Sequence, residues 1–388
     1  MKWYRRIYRL ALAALLIAGW MTGVRGWFLA LFAGVGLLLV GVGLNVWTAV
    51  SFSFSQTASA QTVTRGETLG LTLSVHNDKP FPFTMLGLTV HPVDPEGEPE
   101  KLVVHLPPQE RAEVERQLLC PYRGEWTFGL SELEVTDLFA LAPMRFPMSR
   151  MKWYHPLKVM VYPRLYDLPL LRARLEDEKQ WALRQTRMAD AGDSFAGPRQ
   201  YREGDRAARI HWKATAKERE LYTRQYELPR QGETVVLLDN RQFAAGGLQL
   251  RYESLACECA AALCREHLRQ LQETRLRFCG DQAPLAGRSP GDFDAMYQTL
   301  ARVPFRGELP PEAAAENLLL TGELPTAVYL VTGAVTEALA ASLEGLRSRG
   351  IRTVCLLAAP EEPGPAVPPG VTVIRRGEDL ETLGGDAL

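Results

Sequence analysis

At 388 residues and 46% hydrophobic content, the chain is too long for one small core and too apolar to be a disordered segment, so two or three folded domains are expected. The net charge of −1 excludes any overall pull towards nucleic acid or acidic lipid. The six cysteines (Cys120, Cys257, Cys259, Cys264, Cys279 and Cys355) follow neither zinc-ribbon nor CxxC spacing, which leaves reduced, buried thiols in a cytosolic compartment.

Residues 1–50 predict a membrane anchor. Lys2, Arg5, Arg6 and Arg9 precede an apolar run from Leu10 to Val24. Arg25 and Gly26 interrupt it, and a second run extends from Trp27 to Val50. A bilayer crossing needs roughly 20 apolar residues. The second run meets that length, and the first meets it if Arg9 snorkels. The expectation is a two-helix transmembrane hairpin, about 7–24 and 27–48. A cleaved signal peptide is the rival, but a second apolar run is unlike a mature soluble N-terminus. With the basic start inside, everything beyond residue 50 faces the cytoplasm.

Residues 51–165 alternate in polarity between turn signals. Predicted strands are Thr68–Val75, Leu86–Val90, Leu102–Leu106, Val114–Leu118, Glu125–Val135 and Leu157–Tyr162. Short strands at this spacing read as an antiparallel β-sandwich. His76, His91 and His105 are too far apart in sequence to suggest a metal site.

Residues 166–232 form a connecting segment. A charged helix is expected over Leu170–Met188, then a Gly-Asp-rich stretch, then a short helix from Arg206 to about Lys217 with Asp205 as its N-cap. Leu221–Leu228 looks extended. This segment gathers Arg199, Tyr201, Arg202, Gly204, Asp205, Arg209, His211, Trp212 and Lys213. Trp212 reads as a packing anchor. The arginines either pair with Glu203, Asp205 or Asp193 or present guanidinium groups to a carboxylate- or phosphate-bearing partner. Acidic residues dilute the basic ones too far for a nucleic-acid stripe. His211 lacks a local nucleophile with an orienting acid, and no GxSxG, HExxH or Walker loop occurs, so no enzyme is expected.

From residue 233 to 388, apolar strands alternate with helices. Strands are predicted at Thr234–Leu238, Arg275–Cys279, Ala327–Val331, Arg352–Leu357 and Val371–Ile374. Helices are predicted at Leu248–Glu273, Phe293–Val303, Pro311–Leu320 and Val335–Arg349. That order gives a mostly parallel sheet covered on both faces, with ligands at the carboxyl ends of the strands.

These residues resemble a known family. The last domain is similar to a von Willebrand factor A domain. The segment before it resembles the signature of the domain of unknown function 58 family through Gly197, Arg199, Tyr201, Gly204, Asp205, Arg209, Ile210, Trp212, Lys213, Ala214 and Ala216. Arg123-Gly124, Asp137-Leu138-Phe139 and Val161-Tyr162-Pro163-Arg164 also fit. The resemblance implies a membrane-anchored, cytosol-facing adaptor working with a MoxR-type AAA+ ATPase, with a transglutaminase-like membrane protein as a further partner, in assembly or maturation of envelope-associated proteins. No cofactor is implied. A von Willebrand-type metal site needs Asp-x-Ser-x-Ser plus a later Thr and Asp. Here the sequence is Asp239-Asn240-Arg241-Gln242-Phe243, both serines are missing, and the later loop has Thr332 but no Asp. No metal is therefore expected, with Asp239 as a degenerate position that caps or salt-bridges at the sheet edge. The alternatives are a ligand- or metal-binding receptor using the pocket near Asp239, and a hydrolase assembled from distant residues.

Overall fold

A computed structural model describes residues 2–50, 52–78, 80, 83–136, 140–151, 154–189, 195–201, 210–218, 220–226, 232–280, 283–320, 325–361 and 367–383. The chain divides into two compact units, Met1–Tyr162 and Pro163–Leu388.

The first unit opens with helices α1 (Lys2–Thr22) and α2 (Arg25–Val50), joined through Gly23 at φ 69°. The helices approach closely at Gly34. A Cβ there would lie 2.6 Å from Leu12, and the Gly34 carbonyl accepts the Tyr8 hydroxyl at 2.7 Å. Among the described residues, α2 alone is long and apolar enough to cross a membrane, with mean hydropathy 2.3. The four basic residues in its first half set α1 apart.

Among the described residues nine strands follow. They are β1 (Ser53–Ala58), β2 (Thr62–Thr64), β3 (Thr68–His76), β4 (Phe83–His91), β5 (Glu100–Leu106), β6 (Arg111–Leu119), β7 (Gly124–Thr136), β8 (Met144–Pro147) and β9 (Leu157–Tyr162). One sheet has the order β1-β3-β6, the other β2-β9-β7-β4-β5 with β8 beside β7. The predicted alternation in β3 is present, with Leu69, Leu71, Leu73 and Val75 all buried. They share one core with Leu86 and Leu88 of β4, Leu130 and Leu133 of β7 and Val159 of β9. The six predicted strands are all present, but the pairing is not wholly antiparallel. The edge strand β2 pairs with β9 in parallel, Val63 opposite Val161, which makes the second sheet mixed. Three further strands, β1, β2 and β8, have few apolar residues or are short, so period-two patterning does not mark them.

In the second unit, α3 (Pro169–Ala189) is followed by β10 (Phe195–Gln200), α4 (Trp212–Glu218), β11 (Tyr222–Tyr226), β12 (Thr234–Leu238), α5 (Gly246–Arg269), β13 (Thr274–Phe278) and β14 (Leu285–Gly287). The remainder is α6 (Phe293–Arg302), α7 (Pro311–Leu320), β15 (Ala327–Thr332), α8 (Glu337–Arg347), β16 (Arg352–Ala358) and β17 (Val371–Ile374). The main sheet has the order β14-β13-β12-β15-β16-β17, parallel except for the antiparallel edge strand β14. Its strands β12, β15 and β16 are apolar on both sides because both sides are covered. Val236, Leu238, Tyr329, Val331 and Leu356 face a cluster with α5 and α6, whereas Val235, Leu237, Val328, Leu330 and Cys355 face a cluster with α7 and α8. The helix expected in the connecting segment is α3, and its Leu171 and Leu175 join the first cluster. Arg172 fixes it further by a bidentate pair with buried Glu266 of α5, at 2.8 and 2.9 Å.

Candidate functional site

The signature segment folds as a ribbon with a helix attached. Strands β10 and β11 pair antiparallel, Arg199 opposite Thr223 and Gln200 opposite Tyr222. Tyr201 donates its N–H to the Leu221 carbonyl at 2.7 Å. On the other edge of β11, Ile210 bridges Thr223, and the His211 N–H donates to the Tyr222 carbonyl at 2.7 Å. Helix α4 starts immediately afterwards, with the Thr215 N–H donating to the His211 carbonyl at 3.0 Å. The Thr215 hydroxyl accepts the Tyr222 N–H at 3.0 Å, tying the helix to the strand.

This geometry corrects two expectations. The helix begins at Trp212, not Arg206, because Ile210 and His211 are paired with β11. His211 therefore stands where the cap of this helix belongs, and Asp205, the expected cap, lies outside the described residues. Trp212 is also no packing anchor, because it is 67% exposed. Ile210, His211 and Thr215 are half-buried, while Trp212, Lys213, Ala216 and Lys217 are exposed. Tyr201 is half-buried, and Arg199 lies in β10. Arg202, Gly204, Asp205 and Arg209 lie outside the described residues, as do Asp137, Leu138 and Phe139.

The second constellation sits at the carboxyl ends of β12 and β15, the adjacent strands where the chain order of the sheet reverses. Open α/β sheets bind ligands at this position. Asp239 is 0% exposed. Arg241 grips it side-on, Nε to Oδ1 and Nη2 to Oδ2, both at 2.9 Å. Thr332 at the end of β15 donates its hydroxyl to Oδ2 at 2.8 Å. The expected salt bridge therefore exists, but at the end of a central strand and not at the edge of the sheet. The bonds to Asp239 raise the Arg241 pKa. Its guanidinium carbon lies 5.3 Å from the centroid of the Phe243 ring.

Sequence reasoning missed the residues that frame this pair. Tyr252 of α5 donates its hydroxyl to the Asp239 carbonyl at 2.7 Å, and burial, then the Asp239 charge, pushes its phenol pKa well up. The Gln249 side chain accepts the N–H groups of Phe243 and Ala244, both at 3.0 Å, which shapes the loop that carries Arg241. Tyr252 and Gln249 both stand on the buried face of α5, but so do Ser254, Glu258, Glu266 and His267, so residue type alone does not single them out. Burial, then Asp239, also raises the Cys279 thiol pKa, so it sits there as a protonated, unreactive group. The arrangement holds one carboxylate whose two oxygens are already engaged by a guanidinium and a hydroxyl. Among the described residues no group of three His, Cys, Asp or Glu side chains is placed to hold a metal ion.

Residues 197–350 match the family model described as protein of unknown function DUF58. No curated protein matches the chain. Among solved structures, a CARDB domain from Pyrococcus furiosus is 13% identical, with 28% of this chain and 91% of that one covered at a TM-score of 0.22. A β-glucosidase from Listeria innocua is 13% identical over 28% of this chain and 16% of its own, at 0.18. An alkylpurine DNA glycosylase from Pseudomonas fluorescens is 11% identical over 31% and 39%, at 0.17. Likenesses this weak carry no inference about the present chain.

Proposed function

We propose that this chain, which belongs to the DUF58 family, is a membrane-anchored, non-enzymatic adaptor whose signature segment docks a MoxR-type AAA+ ATPase. The observation that carries this reading is the exposure of Trp212, 67%, beside exposed Lys213 and Lys217 on a helix held to β11. A large apolar ring presented by a fixed backbone is the kind of residue that dominates protein interfaces. Between Arg199 and Lys217 six basic residues (Arg199, Arg202, Arg206, Arg209, Lys213 and Lys217) face two acidic ones (Glu203 and Asp205), a net of +4 that suits an acidic partner surface.

The anchor is read as a two-pass hairpin with both soluble parts in the cytoplasm. The apolar length of α2, the Tyr8–Gly34 contact between the helices and the basic start of α1 support it. The α/β part is read as von Willebrand factor A-like. The reversal of strand order between β12 and β15, the antiparallel edge strand and the position of Asp239 favour that reading. Work on assembly or maturation of envelope-associated proteins, with a transglutaminase-like membrane protein as a further partner, follows from the family resemblance alone.

Co-purification from detergent tests the adaptor reading. Wild type retains a MoxR-type ATPase, and Trp212→Ala weakens retention about 30-fold, as loss of a 2 kcal/mol interface residue requires. Arg202→Ala and Arg209→Ala weaken it as well. No retention by wild type, or equal retention by all variants, defeats the reading. A second reading, a receptor acting through the strand end, is favoured by the burial of Asp239 and Thr332 at the reversal point. Calorimetric heat with Mn²⁺ in wild type that disappears in Asp239→Ala would select it.

A further inference from the structure

Segment 140–143, between β7 and β8, is fastened to both N-terminal helices. Arg5 of α1 donates Nε–H to the Ala140 carbonyl at 2.8 Å, and Asn45 of α2 donates Nδ2–H to the Ala142 carbonyl at 2.7 Å. Asn45 is 2% exposed and Ala49, one turn on, 3%, in a helix otherwise largely open to its surroundings. Ala140 has φ 48°, a left-handed conformation that a side chain adopts only when its surroundings impose it. The described part of the loop, Ala140-Leu141-Ala142-Pro143, has no charged side chain, and all four residues are half-buried; Asp137 precedes it in sequence, outside the described residues.

The position of this clamp along α2 is informative. A crossing that starts at Trp27 and uses roughly 20 residues ends near Val46. Asn45 therefore falls at the boundary between hydrocarbon and headgroups. An amide there needs a partner, and the loop provides one. Lys2, Arg5, Arg6 and Arg9 belong to the same end, since Tyr8 meets Gly34 and the two helices run in opposite directions. Basic residues suit the headgroup layer. Segment 140–143 thus lies beside the two helices at interfacial depth.

We propose that segment 140–143, between β7 and β8, is a membrane-interface element that enters the headgroup layer of the bilayer crossed by α2, where Arg5 and Asn45 lock it in place. Its occupant is lipid, and its consequence is a fixed orientation of the β-rich domain against the membrane. The inference rests on the reading of α2 as a membrane span.

The test uses full-length protein in phosphatidylcholine–phosphatidylglycerol vesicles. The six native thiols are buried, so an environment-sensitive thiol probe reports an introduced cysteine. One variant is Leu141→Cys. The control is Glu98→Cys, in the exposed turn between β4 and β5. Because Met85 pairs with Thr136 and His91 with Gly129, this turn lies at the end of β4 remote from the loop. The probe at 141 is expected to lose at least half its emission to bromolipids and to be quenched by iodide several-fold less than the control. Adding Asn45→Ala and Arg5→Ala should restore iodide quenching while the protein still floats with the vesicles. Equal iodide quenching at 141 and 98, with no bromolipid effect, overturns the loop assignment alone. Failure of wild type to float overturns the anchor reading, and this inference with it.

Discussion

Replacing Arg241 by Ala tests whether the strand end is held together by its internal ion pair. The substitution removes both 2.9 Å bonds from a carboxylate that is 0% exposed. The Thr332 hydroxyl and the backbone N–H of residue 241 remain as donors. Breaking a buried pair from one side costs about 3–5 kcal/mol, since the surviving charge is left uncompensated. The Arg241 side chain is 25% exposed, so water can partly replace it, and the lower end of that range, about 3 kcal/mol, applies. For a unit of this size that corresponds to a fall of about 6–12 °C in Tm. Asp239→Asn alone should cost less, about 1–2 kcal/mol, because a neutral amide is cheaper to bury unpaired than a carboxylate. The double variant should be more stable than the sum of the single losses by about 2 kcal/mol, the coupling of two groups in direct contact. Thiol reactivity during denaturation of detergent-solubilised protein assigns the loss to the right unit. Cys257, Cys259, Cys264, Cys279 and Cys355 are buried in the second unit, and Cys120 in the first. A cost below about 1 kcal/mol for Arg241→Ala, or strict additivity, would refute the reasoning.

Three other outcomes are expected. His267 is buried, and desolvation holds its imidazole down to about 4 from an ordinary value of 6.5, so it is neutral in the fold. The unfolded chain takes up the proton first, so the stability that depends on neutral His267 is complete above pH 6.5. It is lost as pH falls towards 4, by about 3 kcal/mol in all, and His267→Asn should flatten that slope in acid titrations of thermal stability. Gly307→Ala would place a Cβ 2.2 Å from the Cys279 carbonyl oxygen and 2.6 Å from Asn240 Oδ1, a clash with backbone costing about 1–3 kcal/mol, whereas Gly345→Ala in α8 meets nothing within 4 Å and should stabilise by about 0.5–1 kcal/mol. Trp212→Ala should leave denaturation midpoints within about 0.5 kcal/mol of wild type, because the ring is mostly solvated; a larger loss would return Trp212 to a structural role.

The sequence was most informative where packing alone decides the structure. Thr234–Leu238 is a threonine followed by four apolar residues and forms a strand of those bounds, buried on both faces. The alternation of β3 likewise placed Leu69, Leu71, Leu73 and Val75 in the core. Legibility failed where backbone pairing decides. In β10, Gly197 and Pro198 argue against a strand, yet the segment pairs with β11 through a register shift next to Gly197. The helix start was misplaced for the same reason: Asp205 has the chemistry of a cap, but cross-strand pairing fixes residues 210 and 211 and sets the first turn at Trp212. At the strand end, the missing serines are legible in the sequence, and so is the positive charge of Arg241 two residues after Asp239. That its guanidinium reaches back two residues to take both oxygens of Asp239 depends on a loop shape set by Gln249, which no local spacing encodes.

Trp212 shows why residue type alone misleads in such a segment. Large apolar rings are buried on average, and that preference assigned Trp212 to the interior. Helix α4 is seven residues long and is held to β11 through Thr215 and the preceding Ile210 and His211, which leaves the opposite side of this short helix exposed among the described residues. An exposed ring adds little to folding, but the cross-strand bonds at Ile210 and His211 fix the direction in which it projects. A fixed projection lowers the entropy lost when a partner covers the ring, so the backbone pairing that misplaced the helix in the sequence reading is also what prepares Trp212 for contact.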